Sequence, residues 1–293
     1  MRIVFYTSGT TGSGRLVRGI SVGNAIQRKN LKWKYTIISF SPFARLADIF
    51  GHRHIELPAE DESQLSRDNY PDSGLFKTLI SLNPDVLIID LLWFPLYHFI
   101  RDLNCKKIFI CHYVVDSFFA VPLKEKTIYF RPEDFDRLLA IEPFRNKLPF
   151  DEINPIIVRN RDEILSRESA LDALGLHDNN RKKCLVAFNA RPGDFDKHKN
   201  KYAHLESEGY NMVYSTNYEG GIFPAVDYFN AFDLVVCGAG YNQFWEAKYF
   251  DKKTIMETIR GNFSSQEKRI KMGRDFHFDA NGADQLVDII QKL

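Results

Sequence analysis

The run DLVVCGAGYNQFWEAKYF, residues 233 to 250, reads as three pieces in direct succession. Leu234 to Cys237 make a short apolar strand, Gly238-Ala239-Gly240 make a loop, and from about Tyr241 the chain turns helical. In a doubly wound α/β sheet, ligands sit beyond the carboxyl ends of the strands, where glycine loops hand over to helices. A helix opening there turns unpaired backbone N–H groups and its positive dipole end towards the crevice, a setting that suits a phosphate. Asn242 and Glu246 are four residues apart and share a helix face, while Phe244, Trp245 and Ala247 point elsewhere. A carboxylate cannot bind the phosphate itself. One turn deeper, it can accept hydrogen bonds from the vicinal hydroxyls of a sugar. The stretch therefore fits a nucleotide, with diphosphate at the helix mouth and ribose at Glu246. The competing reading of Glu246 is a solvated surface residue.

Outward from this stretch the chain keeps one rhythm, apolar runs alternating with helical patterns. The first run, Ile3 to Tyr6, leads into the glycine-rich loop from Gly9 to Gly14 and a helix carrying Leu16, Ile20 and Gly23 on one face. Strands are expected at 35 to 40, 85 to 90 and 107 to 114, and helices at 76 to 82 and 96 to 103. Runs apolar on both faces suit a parallel sheet covered on both sides. The rhythm breaks between about 115 and 165, where Pro122, Pro132, Pro143, Pro149 and Pro155 lie among charged residues. It resumes with a helix at 169 to 176, strands at 183 to 190 and 211 to 216, a helix at 224 to 232, the opening strand and helix, and a strand at 253 to 257. Ser264 and Glu267 have capping-box spacing, which starts a further helix near Ser265 with Gln266 in its first turn. That helix would set Gln266 on the same rim as Asn242 and Glu246. A helix near 282 to 292 closes the chain.

Composition bounds the function. With 293 residues, 44% of them hydrophobic and 26% charged, the chain can bury a sizeable core and divides most naturally into two domains. The net charge of +1 and the lack of a basic stretch with interleaved aromatics argue against nucleic acid as a partner. Cys105, Cys111, Cys184 and Cys237 form no Cys-x-x-Cys and read as core residues in a reducing compartment. The opening MRIVFYTSG is a strand, not a secretory signal, and no run reaches the roughly 20 apolar residues of a membrane span, so a cytoplasmic protein is expected. The Asp-x-Asp triplets at 134 to 136 and 194 to 196 lie next to helix starts, and His52 and His54 have no third ligand nearby, so no metal is expected.

Several of these segments together resemble a known family. Gly240-Tyr241-Asn242-x-x-x-Glu246-Ala247, the strand near Thr254-Ile255 and Gln266-x-x-Arg269 are similar to the donor-binding segment of GT-B glycosyltransferases, above all the glycosyltransferase family 28 C-terminal domain, found in the peptidoglycan N-acetylglucosaminyltransferase. The runs PDVLIID (84 to 90) and NPIIVRN (154 to 160), the segment from Pro224 to Asp233 and Asn281-Gly282-Ala283-Asp284 follow in the matching order. The resemblance implies an α/β chain of two Rossmann-like domains facing a cleft. Residues 1–152 would form an acceptor-side domain and 153–293 a donor-binding domain, with the last helix able to pack back on the first. It implies sugar transfer from a nucleotide sugar, UDP-linked, with no cofactor and no metal. It implies that Glu246 holds the ribose, the backbone from Gly240 to Asn242 holds the diphosphate, and Gln266 contacts the donor sugar.

Where many members carry Gly-x-Gly-His, this chain has Gly12-Ser13-Gly14-Arg15. Arginine stays protonated, so Arg15 cannot be a general base, but it can neutralise a phosphate or a carboxylate on the acceptor. For the base, Asp90 at the end of its strand comes first and His112 second, against a turn residue and a packed histidine respectively. Arg191, in the first loop of the second half, can meet the diphosphate or be an exposed loop arginine. The acceptor, a glycan, lipid or small molecule, would be held by the irregular loops at 41 to 75 and 115 to 150. Their aromatics can stack on sugars, hold lipid at a peripheral membrane contact, or pack the loops onto the sheet. Hydrolysis or epimerisation of a nucleotide sugar, and nucleotide binding without catalysis, are the alternative functions.

Overall fold

The computed structural model describes residues 1–9, 12–124, 126–144, 147–177, 181–218, 221–258 and 265–293. The chain divides into two units, one of Met1–Ile156 with Ala280–Leu293, the other of Ile157–Arg260 with Gln266–Asp279.

In the first unit the described elements run β1 (Arg2–Tyr6), α1 (Gly14–Arg28), β2 (Lys34–Ser39), α2 (Arg45–Ile49), β3 (Arg53–Glu56), α3 (Gly74–Leu82), β4 (Val86–Asp90), β5 (Lys106–Cys111), the hairpin strands β6 (Ala120–Pro122) and β7 (Thr127–Tyr129), β8 (Arg137–Ala140) and β9 (Asp151–Glu152). Seven strands form one parallel sheet in the order β3-β2-β1-β4-β5-β8-β9. The central strands are buried throughout, from Ile3 to Tyr6 and from Val86 to Asp90, as runs apolar on both faces require. Strand order reverses direction between β1 and β4, so the loop after β1 and the end of β4 flank the crevice where such a sheet takes ligands.

The second unit comprises α4 (Arg167–Ala173), β10 (Lys182–Ala187), α5 (Pro192–Tyr202), α6 (His204–Ser207), β11 (Tyr210–Ser215), β12 (Leu234–Gly238), α7 (Tyr241–Tyr249), β13 (Thr254–Glu257) and α8 (Gln266–Gly273). Its sheet is parallel with order β11-β10-β12-β13, so the corresponding switch lies between β10 and β12. The last helix, α9 (Gly282–Ile290), belongs to the first unit and packs on α1, where Arg28 meets Asp284 at 2.9 Å and Lys29 meets Asp288 at 2.6 Å. Gly282 is required there because a Cβ would fall 1.8 Å from the carbonyl oxygen of Asn154.

Two expected α-helices take another form. Residues 96 to 103 make two 3-10 turns, Phe94–Leu96 and Ile100–Asp102. The segment is rich in aromatics, which lose rotamer freedom in a helix. Phe99, fully buried, instead lies 5.2 Å from each of Tyr70 and Phe76, and Trp93 lies 5.6 Å from Phe130. Residues 224 to 232 form a 3-10 helix, Ala225–Ala231, held sideways by Arg159 on the Asp227 carboxylate (2.8 and 3.0 Å) and by Asn230 donating to Leu165 O (2.8 Å). The proline-rich stretch from 115 to 165 also contains more structure than its composition announces. Pro122 ends β6, Pro132, Pro143 and Pro149 fall between strands, and β8 extends the first sheet beside β5.

Candidate functional site

The end of β12 is built for the approach of a polar ligand. Ala239 N–H donates to Glu257 O (2.8 Å), closing the strand, and Gly240 then takes the N-cap position of α7 at φ −61° and ψ 160°. Among the described residues no side chain caps this helix, and its first turn contains no acidic residue. A helix start of this kind suits an anion. A Cβ on Gly240 would meet nothing within 4 Å, so the space over the loop is open.

The buried face of α7 is Tyr241, Phe244, Trp245, Ala247 and Tyr249, which leaves Asn242, Gln243 and Glu246 partly accessible. Gln243 Nε2 donates to Ala187 O (2.8 Å), tying the helix to the end of β10 and hence to the switch point. Glu246 retains some solvent contact, yet protein atoms enclose its carboxyl group, and no side-chain hydrogen bond to it is formed among the described residues. Burial, assisted by the Asp227 charge, pushes this carboxyl from its ordinary 4.5 up to about 8.

Gln266 opens α8, partly buried, while Ser264 of the expected capping box lies outside the described residues. Three residues later Arg269 is 2% exposed and donates to Ala239 O (3.2 Å), with its guanidinium 5.7 Å from the centre of the Tyr241 ring. A fixed cation thus braces the glycine loop from behind. Arg191, exposed at the N-cap of α5, follows β10 on the other side of the switch.

A cluster at the end of β13 carries no signature in the sequence. Glu257, in register with Gly238, accepts from Tyr202 Oη (2.6 Å) and Lys201 Nζ (2.7 Å), with His198 Nδ1 at 3.4 Å. Burial raises its carboxyl, but the hydrogen bonds outweigh this and hold it below the usual range. His198 is stacked flat on Phe188 at 3.8 Å. The Asp-x-Asp triplets are ion-paired instead: Asp134 with Arg101 (2.5 Å), Asp136 with Lys106 (2.9 Å), Asp194 with Lys197 (2.7 Å) and Asp196 with Lys199 (3.2 Å).

In the first unit the two candidate bases differ in exposure and in partners. Asp90 is fully buried, and both of its oxygens are bound by Nε and Nη2 of Arg18 at 2.9–3.2 Å, with Thr7 Oγ1 at 2.9 Å. A carboxylate held by a bidentate guanidinium and shut off from solvent cannot take a substrate proton. The pairing spans 72 residues of sequence, and neither Arg18 nor Thr7 stood out there. His112, after β5, is partly exposed, and its Nδ1 donates to Tyr113 O (2.9 Å). That bond makes Nε2 the basic nitrogen of the neutral ring. Gly12 and Gly14 flank the start of α1, and Arg15 in its first turn donates to Ser8 Oγ.

No sequence family and no curated protein sequence matches the chain. Its structural neighbours are GT-B glycosyltransferases. The Streptomyces sp. SF2575 glycosyltransferase SsfS6, complexed with thymidine diphosphate, is similar over 100% of both chains at a TM-score of 0.65 and 11% identity. The spinosyn forosaminyltransferase SpnP is similar over 100% of this chain and 91% of its own, at 0.63 and 11%. Acinetobacter baumannii MurG is similar over 99% and 91%, at 0.53 and 10%. The chain has the GT-B fold, two Rossmann-like units built on parallel sheets.

Proposed function

We propose that the chain is a metal-independent glycosyltransferase that takes its sugar from a UDP-linked donor. The observation that carries this reading is the α7 mouth, a helix start behind an open glycine with no side-chain cap among the described residues, and the carboxyl of Glu246 one turn in with no side-chain hydrogen bond among them. The activity named for the structural neighbours is in keeping with it, one of them holding thymidine diphosphate and the spinosyn rhamnosyltransferase SpnG holding a spinosyn aglycone.

Each side chain has a part. N–H groups from Gly240 to Asn242 receive the diphosphate, and Arg191 adds an exposed positive charge. Glu246 accepts from the ribose hydroxyls, and Gln266 reaches the donor sugar. The Nε2 of His112 removes the proton from the acceptor hydroxyl as that oxygen bonds to the anomeric carbon. The bond from that carbon to the diphosphate breaks, and its electron pair leaves with UDP, stabilised by the α7 dipole and Arg191.

The test is UDP release from UDP-sugars, measured with and without a pool of acceptors. Release that requires acceptor is the expected result, and His112→Asn should suppress it by about 100-fold or more while UDP binding persists. Release without acceptor would make the protein a hydrolase, and saturable UDP binding with no release would make it a non-catalytic subunit. Absence of UDP binding would sink the reading altogether.

Gly240→Asp probes the diphosphate position directly. The open space admits the side chain, the backbone angles suit it, and aspartate is a better N-cap than glycine by a few tenths of a kcal/mol. The variant should therefore melt at the same temperature as the parent or slightly above it, yet bind UDP at least about tenfold more weakly, because its carboxylate takes the N–H groups and repels the ligand. Unchanged UDP affinity would move the diphosphate elsewhere.

A further inference from the structure

Glu257 is the last residue of β13, and its carbonyl receives the Ala239 N–H at 2.8 Å, which puts it directly beside the glycine loop. Its Oε1 takes both Tyr202 Oη (2.6 Å) and Lys201 Nζ (2.7 Å), and Oε2 faces His198 Nδ1 at 3.4 Å. Phe188, the first residue after β10, fixes the same imidazole on its flat side, with the rings parallel to within 5° and their centres 3.8 Å apart. The imidazole thus touches the residue after β10 and the last residue of β13, the two strands that flank β12. It lies across the end of β12, where the glycine loop begins. Side chains on a helix lean back towards its N-terminus, so the ring is carried along α5 towards the carboxyl end of the sheet.

Tyr202 and Lys201 already hold Glu257 to α5, and His198 adds a nitrogen that this brace does not use. A carboxylate in front of Nδ1 keeps the proton of the neutral ring there and leaves the lone pair on Nε2. His52 and His54 spend their Nε2 on Asn24 Oδ1 (2.9 Å) and Ser39 Oγ (2.8 Å). For His198 no hydrogen bond to Nε2 is formed among the described residues, and its side chain is 18% exposed. The ring is therefore an acceptor fixed by Glu257 and Phe188, with its outer nitrogen open. A phosphate would meet a lone pair backed by a carboxylate, whereas a hydroxyl can donate to it.

We propose that His198 Nε2 accepts a hydrogen bond from a hydroxyl of the donor's sugar, so that the chain selects a sugar hydroxylated at that position over its deoxy form. This assignment rests on the donor reading of α7. With ribose at Glu246 and diphosphate at Gly240 to Asn242, the sugar continues towards Gln266, which opens the helix after β13, the strand that Glu257 ends. Glu257 acts through the imidazole as a positioning residue. A site built around a hydroxyl discriminates against the analogue that lacks it, because its acceptor is then left unpaired.

The test compares, by calorimetry on the full chain, the binding of UDP, of the tightest among UDP-glucose, UDP-galactose and UDP-N-acetylglucosamine, and of deoxy analogues of that sugar nucleotide. The variant is His198→Asn, whose amide keeps a donor in front of Glu257 and removes only the outer nitrogen. The parent should prefer the hydroxylated sugar over one deoxy analogue by about three- to tenfold, and His198→Asn should lose that preference while its UDP affinity stays within about twofold. His198→Gln, whose longer amide reaches the place of Nε2, should keep part of the preference. No deoxy preference in the parent, or an unaltered one in His198→Asn, overturns the inference. An equal loss of UDP and UDP-sugar affinity overturns it as well, since the histidine is then a brace for the glycine loop or a diphosphate contact. Absence of UDP binding would remove the donor reading and this assignment together, whereas UDP binding without a preference that depends on His198 removes this assignment alone.

Discussion

Glu246→Gln should weaken UDP binding by about 10- to 150-fold and, in the ligand-free protein, raise stability above neutral pH. The first effect is the loss of a charge-assisted hydrogen bond to the ribose, about 1.5–3 kcal/mol. The second follows from the carboxyl lying at about 8 in the folded protein against 4.5 ordinarily. Between those values the folded state binds more protons than the unfolded state, so this group's contribution is fully present below about 4.5 and is lost as pH rises through about 8. Glutamine cannot ionise and loses nothing in that window. The melting-temperature advantage of the variant should be small at pH 5 and widen towards pH 8.5. The partial solvent contact of Glu246 reduces its size but not its sign. Because the ribose needs the carboxylate, UDP binding at pH 7 should also release a proton, visible as a buffer-dependent enthalpy by calorimetry. A 2′-hydroxyl gives Glu246 one more donor, so UDP should bind more tightly than thymidine diphosphate. Equal UDP affinity in variant and parent would return Glu246 to the role of an ordinary helix residue.

The strand, glycine loop and helix of the candidate donor segment were legible in the sequence because they are local. A strand, two glycines and a helix occupy residues 234 to 249 without interruption, and the four-residue spacing fixes Asn242 and Glu246 on one face. Apolar runs likewise announced β1, β4, β5, β10 and β12, since strands buried on both faces need no periodicity to be seen. What stayed hidden depends on contacts between distant residues. The aromatic packing of Trp93 and Phe99 overrides a helical pattern, and the short strand β8 disappears among prolines until it is paired with β5. Glu257 gathers Lys201 and Tyr202 from 55 residues away, and Arg269 reaches back 30 residues to Ala239. The candidate base Asp90 was the least legible, because its sequence signal was a single residue at the end of a strand, and that position suits a buried ion pair as well as a base.

Asp90→Asn should destabilise the first unit by about 3–5 kcal/mol, the cost of leaving one member of a buried ion pair without its counter-charge. Arg18 is 2% exposed and Asp90 is 0% exposed, so water cannot replace the missing partner. The amide retains the shape of the side chain and can still accept from Thr7, so the change isolates charge from packing. The measurement is the urea midpoint of the first unfolding transition, with the slope m unchanged. Loss of turnover in this variant should follow its loss of folded protein and recover with it at lower temperature. The double replacement Arg18→Met with Asp90→Leu completes the cycle: removing both charges together should restore most of the stability, because apolar groups of similar volume substitute well for a buried pair. A catalytic aspartate predicts the opposite pattern, a variant within 1 kcal/mol of the parent in stability that binds UDP normally and turns nothing over. That outcome would return Asp90 to the reaction and reduce His112 to a packed histidine. Recovery in the double variant would instead make the Arg18–Asp90 pair the brace that joins α1 to β4.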